Sequence, residues 1–268
     1  MTSALHQSEA AFHDAWAASV DLTQVAVRQA FESPTALENR FILSQMGPLA
    51  GRKILDIGAG LGESSVYFAL QGAEVTATDL SPGMITAATK LGELNGVRIR
   101  GIVTSAEDLR TDPGAFDIVY VANTIHHVGD RRRLFANIHR ALRPGGRFFS
   151  WDPLAYNPVI EVYRRMATSV RSDDETPLTR KDLALAREFF SDTQHREFWI
   201  AALAIFLKYY LIDRVHPNDD RYWKRIFRET DQSLRWWTPL RRFDELLAQT
   251  PGIRWLAWNM VMWGTKLS

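Results

Sequence analysis

The segment Ile54-Leu55-Asp56-Ile57-Gly58-Ala59-Gly60-Leu61-Gly62-Glu63 is an apolar strand pattern that runs directly into glycines at every second position. A strand that ends this way and opens a helix suits a nucleoside, because glycine permits positive φ and close approach of the backbone while the helix start supplies unpaired N–H groups. A dinucleotide site asks for Gly-x-Gly-x-x-Gly, but counting from Gly58 and Gly60 puts Glu63 where the third glycine belongs. Asp56, just before the turn, repels a pyrophosphate and tolerates a cation. Asp56, Gly58, Ala59 and Gly60 therefore favour a positively charged ligand without a pyrophosphate. Asp79 ends the next strand about 20 residues later, where a carboxylate can accept both ribose hydroxyls. Each feature alone also fits an ordinary turn and a helix-capping aspartate, and it is the spacing of the two that selects a nucleoside.

Around this motif, short apolar runs alternate with helical patterns, the signature of βαβ units. Strands are expected at Lys53–Ile57, Glu74–Asp79, Arg98–Val103, Asp117–Ala122 and Arg147–Trp151, which makes the fold class α/β with a doubly wound, mostly parallel sheet. Ser81-Pro82 and Asp130 read as helix starts, and Arg143-Pro144-Gly145-Gly146 as a helix stop. Ahead of the sheet, amphipathic helices are expected over Ser8–Arg28 and Thr35–Met46. Beyond Trp151 the pattern turns mainly helical, with candidates at Pro158–Val170, Arg180–Phe190, Glu197–Arg214, Arg221–Leu234 and Phe243–Gln249. Breaks fall at 173–177, His216-Pro217-Asn218 and Thr238-Pro239, and Ile253–Lys266 is extended enough to return one or two strands to the sheet edge. The expected organisation is residues 1–50 as helices covering the site, 51–152 as a nucleoside-binding core, 153–240 as a helical cap and 241–268 as the return to the sheet.

Residues 51–151 resemble the class I, Rossmann-like S-adenosylmethionine-dependent methyltransferases. Asp56-x-Gly58-x-Gly60-x-Gly62 matches that family's first motif, and Asp79-Leu80 its ribose-binding acid with an apolar residue beside the adenine. Phe116-Asp117-Ile118-Val119-Tyr120-Val121 resembles its fourth strand, and Leu142-Arg143-Pro144-Gly145-Gly146 its glycine turn before the fifth. The resemblance implies S-adenosylmethionine as cofactor, Met84 lining the adenine pocket and backbone contacts from Asn123 near the methionine moiety. Where relatives carry Asp-Ala-Glu after strand three, this chain has Ser105-Ala106-Glu107. Serine accepts from the adenine amino group more weakly than aspartate, so Ala106 N–H is the better adenine ligand beside Ser105 and Glu107.

Methyl transfer from a sulfonium works by alignment and water exclusion, and needs a base only when the acceptor atom carries a proton. His126 and His127 follow strand four, and His127, farther from the strand, is the freer to turn toward the cap. Neighbouring side chains in a loop usually diverge, so at most one histidine should reach the acceptor. Asp152 can hold an amine, help bind a metal or cap a helix. His13, Asp14 and Trp16 either close over the cofactor or simply pack. His195 and His216 lack partners at metal-ligand spacing, so no metal is expected.

The 32 lysines and arginines nearly balance the 31 aspartates and glutamates, so no global field draws in nucleic acid. Arg131-Arg132-Arg133 reads as a solvated helix face, and the sequence after strand four lacks the pattern of base-modifying relatives. With no cysteine, disulfides, thiolate zinc sites and cysteine nucleophiles are excluded. Neither a signal peptide nor a transmembrane segment is expected, which makes a cytoplasmic protein the default. The acceptor is expected to be a small, largely apolar or aromatic molecule, with Trp199, Phe206, Tyr209, Tyr210, Trp223, Trp236 and Trp237 as pocket candidates and half or more of them core. Phe198–Ile212 offers an alternative role as an exposed apolar face for a homodimer partner or a membrane surface. O-methylation is slightly favoured over N-, S- or C-methylation. Cofactor binding with non-methylating catalysis or a regulatory role is the competing reading, and a nicotinamide oxidoreductase is disfavoured by the missing glycine.

Overall fold

The protein is described by a computed structural model covering residues 2–168, 175–229 and 234–267, with side chains from residue 6 onward. Among the described residues, seven strands form one sheet in the order β3-β2-β1-β4-β5-β7-β6. They are β1 (Lys53–Ile57), β2 (Glu74–Asp79), β3 (Arg100–Val103), β4 (Phe116–Ala122), β5 (Leu142–Pro153), β6 (Gln194–Phe198) and β7 (Asn259–Thr265). β1 to β5 pair in parallel, and β7 runs antiparallel to both β5 and β6. Chain order reverses between β1 and β4, so the loops leaving their carboxyl ends splay apart and open a crevice.

The central strands are apolar on both faces because both faces are covered. Leu55, Ile57, Val119, Val121 and Phe148 pack with Leu134, Phe135 and Ile138 of helix Arg131–Ala141 and with Leu183 of helix Arg180–Phe189. Ile54, Val75, Ala77, Tyr120 and Phe149 face the other way, toward Ile42 and the helices Glu63–Leu70 and Pro82–Leu94. Ser81 caps the latter by accepting Met84 N–H at 2.9 Å, with Pro82 at the first helical position, and Asp130 caps its helix by accepting Arg133 N–H at 3.0 Å.

Several elements differ from expectation. The leading helix spans Thr2–Ser19 and stops well before Arg28. Asp21 accepts both the N–H and the hydroxyl of Thr23, a local alternative to helix that leaves a 3₁₀ turn at Leu22–Gln24 and a single turn at Gln29–Glu32. The second helix begins at Leu37. β5 starts at Leu142, so Pro144-Gly145-Gly146 lies within the strand, next to a register shift between Phe116 and Ile118.

The segment after β5 is not purely helical. Residues 194–198, the last two of them expected as helix, form the edge strand β6, whose polar Gln-His-Arg-Glu-Phe gives no apolar alternation. Glu197 is buried there because Arg254 grips its carboxylate at 2.7 and 2.9 Å. Trp199 breaks the strand at φ +70°, and the chain then makes one helical turn, Ala204–Leu207, followed by a π turn at Lys208–Ile212. Helix Pro158–Met166 and the turns Tyr222–Arg225 and Ile226–Arg228 are shorter than expected, and the parts of those expectations at 169–174 and 230–233 lie outside the described residues. Helix Trp237–Leu247 contains Pro239, which is tolerated in a first turn where no N–H partner is needed. Among the described residues no helix is long and apolar enough to cross a membrane. The Phe198–Ile212 run divides, with Ile205, Phe206 and Tyr209 buried and Leu211 and Ile212 exposed.

Candidate active site

The crevice at the β1/β4 reversal holds a cavity of about 250 Å³. The glycine turn forms its floor. Gly58, Gly60 and Gly62 all have positive φ, and a Cβ on Gly58 would overlap Thr124 Oγ1. Gly60 faces open space, so its backbone is what a ligand meets first. Gly58 and Ala59 N–H both donate to Thr78 O, at 2.8 and 2.9 Å, which fixes the turn against β2.

Asp79 lies at the rim with one oxygen accepting Gly60 N–H and the other Ser81 N–H, both at 2.9 Å. These bonds aim the carboxylate across the turn, while burial pushes its pKa up. Leu80, Ser105, Ala106, Glu107 and Asn123 also border the cavity. Asn123 holds a left-handed φ of +52° and donates its N–H to Trp151 O at 2.7 Å, a conformation asparagine tolerates better than most residues. Ser105 spends its hydroxyl on Asp108, and Glu107 accepts Gly129 N–H at 3.1 Å, so both side chains brace loops rather than pointing only inward. Met84, expected beside the adenine, is fully buried against Leu61 and Ala87 and is not among the residues bordering the cavity. Its place at the fifth residue after strand two turns it under the leading helix.

Asp56 is buried beneath the turn and accepts Ser65 Oγ at 2.6 Å, while burial raises its pKa to about 7. Burial likewise pushes Glu38 up to about 7 and Asp152 to about 8. A carboxyl that holds its proton more tightly when folded contributes stability in full below its ordinary pKa, and loses it as pH rises through the folded value. Urea unfolding at pH 5 and pH 8 should therefore show Asp56→Asn becoming less destabilising relative to wild type as pH increases. A constant difference between the two proteins would show that Asp56 ionises normally.

At the other end of the cavity, His126 and His127 sit with rings 4.1 Å apart. They do not diverge, because a different carboxylate holds each. Asp152 Oδ1 lies 2.7 Å from His126 Nδ1 and also accepts the His126 N–H at 3.1 Å, whereas Glu9 of the leading helix lies 2.8 Å from His127 Nδ1. Glu175 is 3.9 Å from His126 Nε2, and a nitrogen of each histidine falls within 4.8 Å of that carboxylate. No metal was expected from the sequence, and these three residues bring one ligand-type atom each within 4.8 Å of the others. The leading helix walls the cavity with His6, Glu9, Phe12, His13 and Trp16, and Asp14 ties it down by accepting Ser81 Oγ at 2.5 Å and Gly83 N–H at 2.8 Å.

Of the aromatic candidates only Trp223 borders the cavity. Trp199, Phe206, Tyr209 and Trp237 are core, and Tyr210 and Trp236 are exposed. The aromatic wall is instead Tyr120, Trp151, Tyr163, Phe227 and Trp258, with Asn39 oriented by Tyr120 OH and Trp151 Nε1. Arg131, Arg132 and Arg133 pair with Asp182, Glu188 and Asp108. None of the three borders the cavity.

The core of this fold, from β1 to β5, is similar to known methyltransferase domains. Residues 55–150 match the family model described as "Methyltransferase domain". The ubiquinone biosynthesis O-methyltransferase of Xylella fastidiosa is 36% identical over 108 residues, 40% of this chain and 44% of that protein, so the chain spans less than half the length of this curated relative. A Haemonchus contortus phosphoethanolamine N-methyltransferase solved with phosphomonomethylethanolamine and S-adenosylhomocysteine superposes with a TM-score of 0.57 at 20% identity, over 87% of this chain and 53% of that one. A SAM-dependent methyltransferase of Thermotoga maritima gives 0.56 at 17% identity, over 90% and 91%.

Proposed function

We propose that the protein is an S-adenosylmethionine-dependent methyltransferase that methylates a hydroxyl of a small, largely apolar or aromatic acceptor. The observation that carries this reading is a single cavity with a nucleoside floor at one end and a carboxylate-backed histidine at the other. S-adenosylmethionine, when bound, supplies an electrophilic methyl on a sulfonium. The open face of Gly60 and the rim carboxylate of Asp79 suit its nucleoside, and the backbone at Ala106 and Asn123 borders the same space. The name of the Xylella relative supports oxygen as the acceptor atom.

His126 is the better base of the two. With Asp152 ionised, as it is above its raised pKa of about 8, and the shared proton on Nδ1, Nε2 is the atom that can accept the proton of an acceptor hydroxyl. Asp152 is fully buried, so the ring's orientation is fixed from behind. The aromatic wall of Tyr120, Trp151 and Trp258 would limit water at that end of the cavity.

Calorimetry with S-adenosylhomocysteine tests the cofactor assignment directly, and no binding at millimolar cofactor would overturn it. Asp79→Ala should weaken that binding by about 1–3 kcal/mol, the scale of losing hydrogen bonds to a charged acceptor. Unchanged affinity would remove Asp79 from the site. Formation of S-adenosylhomocysteine only when an acceptor is present separates methyl transfer from cofactor binding without it.

A further inference from the structure

We propose that Arg164 receives the carboxylate of an aromatic hydroxy-acid acceptor. The inference rests on the methyltransferase reading and names the substrate class for the same cavity. Arg164 lies in the last turn of helix Pro158–Met166 and borders the cavity beside Ile160 and Tyr163. Its neighbour Arg165 takes the carboxylate of Glu161 one turn earlier, at 3.2 Å. Arg164 follows Glu161 by three residues and feels that carboxylate as a coulombic attraction, without forming an ion pair with it. Among the described residues no ion pair or hydrogen bond satisfies its guanidinium.

The surroundings make that arrangement costly. Burial lowers the pKa of Arg164 to about 10, the direction expected of a cation taken out of water. The helix carboxyl end offsets part of the cost. Other cations at the cavity already have partners on the protein, since Lys224 pairs with Glu63 and Arg221 lies 4.3 Å over the Trp16 ring. A guanidinium left to a cavity is shaped for a planar, bidentate anion. The flanking Tyr163, Trp258 and Phe227 supply faces for the ring that carries it. A carboxylate can also come from the cofactor's methionine portion. The effect of Arg164→Gln on S-adenosylhomocysteine affinity separates the two sources.

The test loads the full-length protein with S-adenosylhomocysteine and titrates four probes by calorimetry: 4-hydroxybenzoate, 3,4-dihydroxybenzoate, phenol and catechol. The acids should bind about 10- to 100-fold tighter than their neutral counterparts, the scale of a charge-assisted pair. Arg164→Gln should abolish that preference and leave S-adenosylhomocysteine affinity unchanged, while Arg164→Lys keeps part of the preference and shows that the site still folds. Equal binding of acids and neutral probes, no binding of either acid, or a preference that survives Arg164→Gln overturns the proposal. So does a loss of S-adenosylhomocysteine affinity in Arg164→Gln, which assigns the guanidinium to the cofactor. Failure of wild-type protein to bind S-adenosylhomocysteine is a different result, and overturns the methyltransferase reading itself.

Discussion

His126→Ala is expected to lower turnover by about 10²–10⁴ while leaving S-adenosylhomocysteine affinity nearly intact, because that is the usual span of general-base assistance. The ring is held at 2.7 Å by a carboxylate with no solvent exposure, so its removal takes away an oriented group and also strands Asp152. Some stability is therefore lost as well. The variant should be assayed where circular dichroism shows it folded. His127→Ala, whose partner Glu9 sits on the leading helix, should cost less in rate. Turnover near wild type in both single variants would mean that no histidine base operates, and that alignment alone carries the reaction.

Trp237→Ala should cost about 3–5 kcal/mol of unfolding free energy, the range for deleting a large aromatic from a packed core. Trp237 is 1% exposed, donates Nε1–H to Ala202 O at 2.8 Å and lies 5.4 Å from the Trp199 ring. Its loss removes both area and a hydrogen-bond donor, leaving the Ala202 carbonyl unanswered. Urea denaturation measures the change. A loss below about 1 kcal/mol would show that the segment after β5 does not share the core described for it.

That same tryptophan marks where the sequence ceases to be informative. β1, β2, β4 and the glycine turn were legible because their signals are local: apolar runs, positive-φ glycines, and Asp79 at a fixed separation from Gly60. The cap aromatics carry no such signal. A tryptophan facing a cavity and one facing a core have the same composition, and only the long-range packing of Trp199, Phe206 and Trp237 decides between them. β6 was hidden for a related reason, since Glu197 is buried with its carboxylate held by His195 and by Arg254, 57 residues later. Asn39 and Glu9 reach the cavity from helices that precede the nucleoside motif. No spacing rule connects them to β4. The histidines were visible as candidates, but the choice between them depends on which buried carboxylate stands behind each ring.

The leading helix gives the cavity a wall fastened in a different way from the sheet. Asp14 bonds to Ser81 and Gly83, Glu9 to His127, and among the described side chains a small apolar group around Trp16, Ala17 and Val20 packs beneath it. β1 and β4, by contrast, are locked between two apolar layers. Segments held by few apolar contacts open at lower free energy than the core they lean on. The wall can thus detach and reseat while the sheet stays intact, giving ligand exchange its own clock, separate from the lifetime of the fold.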